Sequence, residues 1–196
     1  EQGEETKSIL PLTKDSGVKN LIMATRSGVI KKTNLSEFEN LRASGLIAIR
    51  LRGNDALVSI HPTGGEDHIN LLTQKGKAIS FPEGNVRPMG RATTGVSGIK
   101  LESGDVVIAM DVFPANEIVS KDKRKKHFRN ILTISEHGLG KRTPIHHFPV
   151  QKRAGKGVKT AIVNSKTGEL RAALMVTQKI EQLIITSKMG QVIKLP

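Results

Sequence analysis

Four segments of the chain, Asn20 to Lys32, His68 to Ser80, Asn130 to Arg142 and Gln182 to Lys194, align with one another without gaps. Such a repeat constrains the fold more than any composition does, because every copy must form the same local unit and bury its apolar face against its neighbours. In each segment a glycine (Gly28, Gly76, Gly138, Gly190) follows a hydroxyl residue by three positions (Thr25, Thr73, Ser135, Ser187). A β-hairpin accounts for this spacing. The hydroxyl accepts a local backbone hydrogen bond, and the glycine supplies the left-handed residue of a bulged turn. The apolar runs before the turns, such as Leu21 to Met23 and Leu183 to Ile185, have strand length and are too short for helices.

A second pattern follows the first three hairpins: arginine, alanine, a gap, then glycine. It reads Arg42, Ala43, Gly45; Arg91, Ala92, Gly95; and Arg153, Ala154, Gly157, with apolar residues one, four and six positions after each glycine. A third run starts at Asp55, Asp105 and Glu169 and alternates with period two, the pattern of a half-buried strand. Each unit is thus several short strands in about 50 residues, which predicts an all-β, propeller-like array of blades. The units span residues 20–65, 68–113 and 130–177. Residues 1–15 read as the end of a preceding blade, with a closing strand at Thr6 to Leu12, and residues 182–196 as the start of a further one. Between the second and third units, an insert from Ala115 to Arg129 rich in lysine and arginine is expected to be an exposed loop.

Charge narrows the function. The 196 residues hold 31 Lys and Arg against 18 Asp and Glu, a formal charge of +13, so a polyanion is the first partner to consider. With no Cys, Tyr or Trp, the chain has no thiolate zinc site, no tyrosyl nucleophile and few aromatic platforms for unstacked bases. No Walker A loop occurs, and no apolar stretch reaches membrane-spanning length. The acidic start, Glu1 to Thr6, does not read as an export signal. His137, His146, His147 and Glu136 lack the spacing of a metal motif and are not expected to form one.

Duplex DNA presents a dense line of phosphates, and a repeat can set one cationic patch per blade along it. Lys31 and Lys32, Lys141 and Arg142, and Lys194 follow their hairpin glycines at matching offsets, while Ile79 and Ser80 replace the pair in the second unit, where Arg87 compensates. Arg42, Arg91 and Arg153 recur before the second glycine, either as phosphate contacts or as anchors bonded to loop carbonyls. Lys188, in the last hairpin turn, joins the set. Phe38, Val86 and Phe148, each ten residues after a glycine, are expected to pack in the core rather than to stack on bases.

The stretches IMATRSGVIKKT (Ile22 to Thr33), VRPMGRATTGV (Val86 to Val96) and HGLGKRTP (His137 to Pro144) resemble the C-terminal DNA-wrapping domain of the bacterial DNA gyrase A subunit, shared in shorter form by topoisomerase IV. The resemblance runs over essentially the whole chain. It implies a β-pinwheel, a propeller-like disc whose blades exchange strands. The family's box, Q-[RK]-R-G-G-[RK]-G, has a near match at Gln151 to Gly157 that departs only at Ala154, which adds Lys152, Arg153 and Lys156 to the candidate DNA contacts. The resemblance further implies a bacterial cytoplasmic protein without a catalytic centre or cofactor of its own. It would serve a type IIA topoisomerase whose ATP and Mg are used elsewhere. Its partners would be double-stranded DNA, the rest of the gyrase A subunit, and the ATPase subunit. The rival reading is a propeller-like protein-interaction scaffold with incidental basic charge.

Overall fold

The computed structural model describes residues 6–13, 16–40, 45–115, 129–177, 180, 182–187 and 189–195. In the first unit β1 (Asn20–Thr25) and β2 (Val29–Asn34) form a hairpin, followed by β3 (Leu57–Thr63). The second unit holds β4 (Asp67–Thr73), β5 (Lys77–Pro82), the two-residue β6 (Val96–Ser97) and β7 (Val107–Pro114). The third repeats this with β8 (Asn130–Ser135), β9 (Gly140–Pro144), β10 (Val158–Lys159) and β11 (Leu170–Val176). A last hairpin comprises β12 (Leu183–Thr186) and β13 (Val192–Leu195).

The four hairpin turns share one geometry. The N–H of Gly28, Gly76, Gly138 and Gly190 each donates to the carbonyl of the hydroxyl residue three positions back, at 3.0 Å in every case. The hydroxyl oxygen accepts in turn from the N–H one residue beyond the glycine: Val29 to Thr25 at 3.3 Å, Lys77 to Thr73 at 3.1 Å, Leu139 to Ser135 at 3.2 Å, Gln191 to Ser187 at 3.0 Å. All four glycines have φ between +78° and +82°, the left-handed region that side chains with a Cβ avoid.

Blades do not coincide with sequence units. The first sheet has the order β3-β1-β2-β6 and the second β10-β5-β4-β7, so the outermost strand of each is supplied by the following unit. The third sheet, β11-β8-β9, and the fourth, β12-β13, have no such outer strand among the described residues. At the inner side β3 packs on β7 and β7 on β11, which sets the blades side by side.

The main core lies between the first two blades, where Ile22, Ile30, Ile69, Leu71, Ile79, Phe81, Val86 and Met110 are buried together. Complete burial of a side chain such as Ile69 or Phe81 contributes about 1.5–3 kcal/mol. Val86 and Phe148 are buried as expected and Phe38 half-buried. A fully buried carboxylate, Glu83, ties the units together: it accepts from Asn20 Nδ2 at 3.0 Å, Thr63 Oγ1 at 2.7 Å and the N–H of Gly65 at 3.1 Å.

Thr6 to Leu12, expected to be a closing strand, is irregular in the structure. The segment after Gly45 likewise stays irregular, although its equivalents after Gly95 and Gly157 reach a neighbouring hairpin. The insert falls mostly in residues 116–128, outside the described residues.

Candidate nucleic-acid interface

In the second and third units the chain between the hairpin and its inner strand runs along the outer edge of the preceding blade. Residues 86–101 lie on β2, with Pro88 bridged to Lys32 and the Met89 N–H donating to the Lys32 carbonyl at 2.8 Å. Residues 148–163 lie on β5 in the same way, with Val150 bridged to Ser80 and the Gln151 N–H donating to the Ser80 carbonyl at 2.8 Å. The contact is close enough to require glycine. A Cβ on Gly95 would sit 2.7 Å from the Ile30 carbonyl oxygen, and one on Gly157 2.6 Å from that of Ala78. Gly157 is thus committed to backbone packing.

These two outer segments contain no Asp or Glu. Residues 86–101 carry Arg87, Arg91 and Lys100, and residues 148–163 carry Lys152, Arg153, Lys156 and Lys159. Arg87, Lys100, Lys152, Lys156 and Lys159 are exposed. The segments are joined directly: the Ala154 N–H donates to the Gly98 carbonyl and the Lys100 N–H to the Gly155 carbonyl, both at 2.8 Å. Arg153 spans the same junction, donating from Nε to the Asn85 carbonyl at 3.2 Å and from its Nη1 to that of Ser97. The loop-anchoring alternative therefore holds for Arg153. Arg91 is half-buried, with its Nε 3.8 Å from Glu37 Oε2.

Lys31 and Lys32 are not surface contacts. Lys31 is 0 % exposed, its Nζ donating to the Ala48 carbonyl at 2.6 Å and to that of Arg91. Burial pushes its ammonium down to about 8, with Glu37 opposing that shift and Arg91 adding to it. Lys32 is 6 % exposed and lies 3.8 Å from Glu83 Oε1. The strand borrowed from the second unit covers this edge of β2 and seals both lysines in. Their equivalents Lys141 and Arg142 on β9 stay exposed because no described strand covers that edge. Lys194 is exposed on β13, whereas Arg42 and Lys188 lie outside the described residues.

Sequence reasoning missed Arg50, Arg52, Lys100 and Lys159, all exposed on outer segments. The signal was present as stretches rich in cations and empty of acids. The acids sit mainly in the connections. Asp55 Oδ1 accepts from the Ser27 N–H at 2.8 Å, and Asp105 Oδ1 from that of Lys75 at 2.9 Å, each fastening an inner strand to its hairpin turn. His137 Nδ1 lies 3.0 Å from the Lys166 carbonyl and Glu136 pairs with Arg171, while the rings of His146 and His147 contact each other edge to face.

This arrangement of units has a counterpart among known proteins. The family model described as DNA gyrase C-terminal domain, beta-propeller, matches residues 19–63, 67–114 and 129–178, one match per unit. The chain belongs to this gyrase C-terminal domain family. The DNA gyrase A subunit of Buchnera aphidicola subsp. Baizongia pistaciae is 39% identical over 191 residues, which is 97% of this chain and 21% of that protein. That of Staphylococcus aureus strain MRSA252 is 37% identical over 175 residues, 89% of this chain and 18% of that protein. The chain thus spans about a fifth of these relatives. Among solved structures, the C-terminal domain of DNA topoisomerase IV has the same fold, with TM-score 0.84 and 22% identity over 99% of this chain and 57% of that one. The DNA gyrase A C-terminal domain gives TM-score 0.72 and 25% identity over 91% of this chain and 56% of that one. In this gyrase-family chain, Ala154, the departure from the family's box, has φ +66°, a non-glycine residue in the left-handed region.

Proposed function

We propose that the chain is a non-catalytic module that binds, bends and wraps duplex DNA along the outer segments of its blades. It would do so within the A subunit of a bacterial gyrase, a cytoplasmic type IIA topoisomerase, supporting ATP-dependent negative supercoiling by the whole enzyme. The observation that carries this reading is the charge on residues 86–101 and 148–163: seven cations, no acid, and direct hydrogen bonds between the two segments.

A duplex bent by 40–90° stores on the order of 1–6 kcal/mol, which phosphate contacts along a curved edge and the release of counterions must offset. The exposed candidates are Arg87, Lys100, Lys152, Lys156 and Lys159, with Lys141, Arg142 and Lys194 continuing the series on the next hairpins. Arg91 and Arg153 act chiefly by holding the segments in place. A scaffold that binds proteins through loops on a disc face has no need for acid-free outer edges, so the charge pattern favours DNA.

The chain itself offers no tyrosyl nucleophile and no phosphate loop for cleavage or ATP hydrolysis. In this reading those steps, and the ATP and Mg they use, belong to the remainder of the A subunit, and to the ATPase subunit. Ligating linear duplex into minicircles in the presence of the chain tests the proposal. Wrapping yields circles of a preferred writhe sign, whereas an unchanged topoisomer distribution contradicts it.

A further inference from the structure

The first strands of the three hairpins carry Ile22, Asn70 and Leu132 at the same place in the repeat. Each is flanked in register by one residue of the return strand and one of the inner strand. Lys32 and His61 stand beside Ile22, Ser80 and Asp111 beside Asn70, Arg142 and Leu174 beside Leu132. Such cross-strand neighbours share one face of their sheet. The row of the first blade faces the second blade, where Ile22 belongs to the main core. The row of the second blade faces the third: Asn70 shares its face with Leu72, Ala78 and Ala109, which pack with Ile131 and Phe148.

The two junctions treat their polar groups differently. At the first, Lys32 Nζ donates to the Glu83 carbonyl at 3.2 Å, His61 bonds to the Met110 backbone, and Ile22 brings no polar atom. At the second, Asn70 is 0 % exposed and Ser80 1 %, yet Asn70 Oδ1 and Nδ2 and Ser80 Oγ have no hydrogen-bond partner among the described residues. Asp111 accepts from the Met175 N–H across the junction, but its Oδ2 is buried and unpaired as well. Buried polar atoms left without partners are rare, and here they lie together in one row. Two of them accept, one donates, and the hydroxyl does both. An alkali cation would serve the oxygens and leave Asn70 Nδ2 unpaired, whereas water serves every atom of the row. The side chains are also smaller here, with Ala78 and Ser80 where the first blade has Ile30 and Lys32.

We propose that Ser80, Asn70 and Asp111 form an internal hydration site between the second and third blades, where ordered water bridges the row and lets this junction yield while the first stays fixed. Water follows the polar atoms as the two faces shift, so no buried group is stranded. The same movement at the first junction would strip Glu83 of Asn20, Thr63 and Gly65. Chain connectivity agrees with this division. Residues 64–66 join β3 to β4 across the first junction, whereas the longer stretch 115–129 joins β7 to β8 across the second. The site rests on packing within the chain and stands apart from the DNA reading.

Nuclear magnetic resonance of the whole chain tests the water directly: the Asn70 side-chain amide protons should receive magnetisation from water, which those of a dry core do not. The chain has no Cys, so spin labels on introduced thiols report the motion without background. Arg26→Cys with Lys75→Cys spans the first junction between hairpin turns, and Lys75→Cys with His137→Cys spans the second. The distance distribution across the second should be about twice as wide as that across the first. Asn70→Leu combined with Asp111→Leu, which reproduces the centre of the third blade's row, should narrow the second distribution to the width of the first. If that variant does not fold, the two label pairs in the otherwise unmodified chain decide alone. Three results overturn the proposal: no transfer from water to Asn70, equal widths across the two junctions, or a rubidium ion in the row in crystals soaked with rubidium chloride.

Discussion

The backbone N–H of Ala154 donates to the carbonyl of Gly98 at 2.8 Å, joining the outer segment on the second blade to the outer segment on the first. That bond holds Ala154 at φ +66°, where its Cβ crowds the backbone. Ala154→Gly relieves the crowding, partly offset by the greater freedom of glycine in the unfolded chain. The expected gain is on the order of 0.5–1 kcal/mol in urea unfolding, and Ala154→Val loses stability. An Ala154→Gly chain less stable than the original contradicts this account.

Lys31 and Lys141 occupy the same position in their repeats and donate to equivalent carbonyls, that of Ala48 at 2.6 Å and that of Thr160 at 3.3 Å, but Lys31 is buried and Lys141 exposed. Lys31→Ala leaves the carbonyls of Ala48 and Arg91 without their donor. It should cost about 1–3 kcal/mol of stability and leave the salt dependence of DNA binding unchanged. Lys141→Ala, at an exposed site, should change stability by less than about 0.5 kcal/mol and lower the salt slope by about one. Paired denaturation and binding titrations of the two variants check both statements.

How much was legible in the sequence follows from the range of the interactions. The hairpins could be read because their turns are closed by residues three and four positions apart, from Thr25 to Gly28 and Val29. The exchanged strands could not, since β6 and β10 are two residues long and pair with hairpins more than 60 positions earlier. Lys31 and Lys141 make the cost plain: matching offsets predicted matching exposure, but exposure depends on whether the next unit lays a strand over that edge. Arg153 was legible as a dilemma between anchor and DNA contact, and the carbonyls of Asn85 and Ser97 that it bonds come from segments far apart in the sequence, which no local pattern could reveal.

Asp111 lies on β7 beside β11, at the junction of the second and third blades. Burial raises its carboxyl to about 6, although the Met175 N–H and the charge of Arg129 pull the other way. Its Oδ2 has no hydrogen-bond partner among the described residues. A carboxyl raised on folding stabilises the fold while protonated, and that contribution is lost as pH rises from about 4 through 6. Stability should therefore fall across this window by on the order of 3 kcal/mol. Asp111→Asn, which keeps an acceptor for Met175, should flatten that fall and be the more stable protein at pH 7.5. Parallel pH profiles for the two proteins, followed by urea unfolding, contradict the assignment.

Arg153→Ala should damage the junction first and DNA binding second. Loss of its bonds to Asn85 and Ser97 predicts a stability decrease of about 1–3 kcal/mol. Arg153→Lys cannot span both carbonyls with one ammonium and should recover only part of it. Full recovery by lysine in thermal unfolding would show that charge alone matters at this position.

The central claim is that duplex DNA follows the outer segments, and the salt dependence of binding tests it most directly. With about five phosphates neutralised, the log–log slope of affinity against salt should be near −4 to −5 for the unmodified chain. Removing Lys152 and Lys156 together should reduce the slope by about two, while removing Lys19 and Lys166, exposed cations off those segments, should leave it unchanged. Equal losses in the two double variants would show that net charge suffices, and the proposed path of DNA across the blades would be wrong.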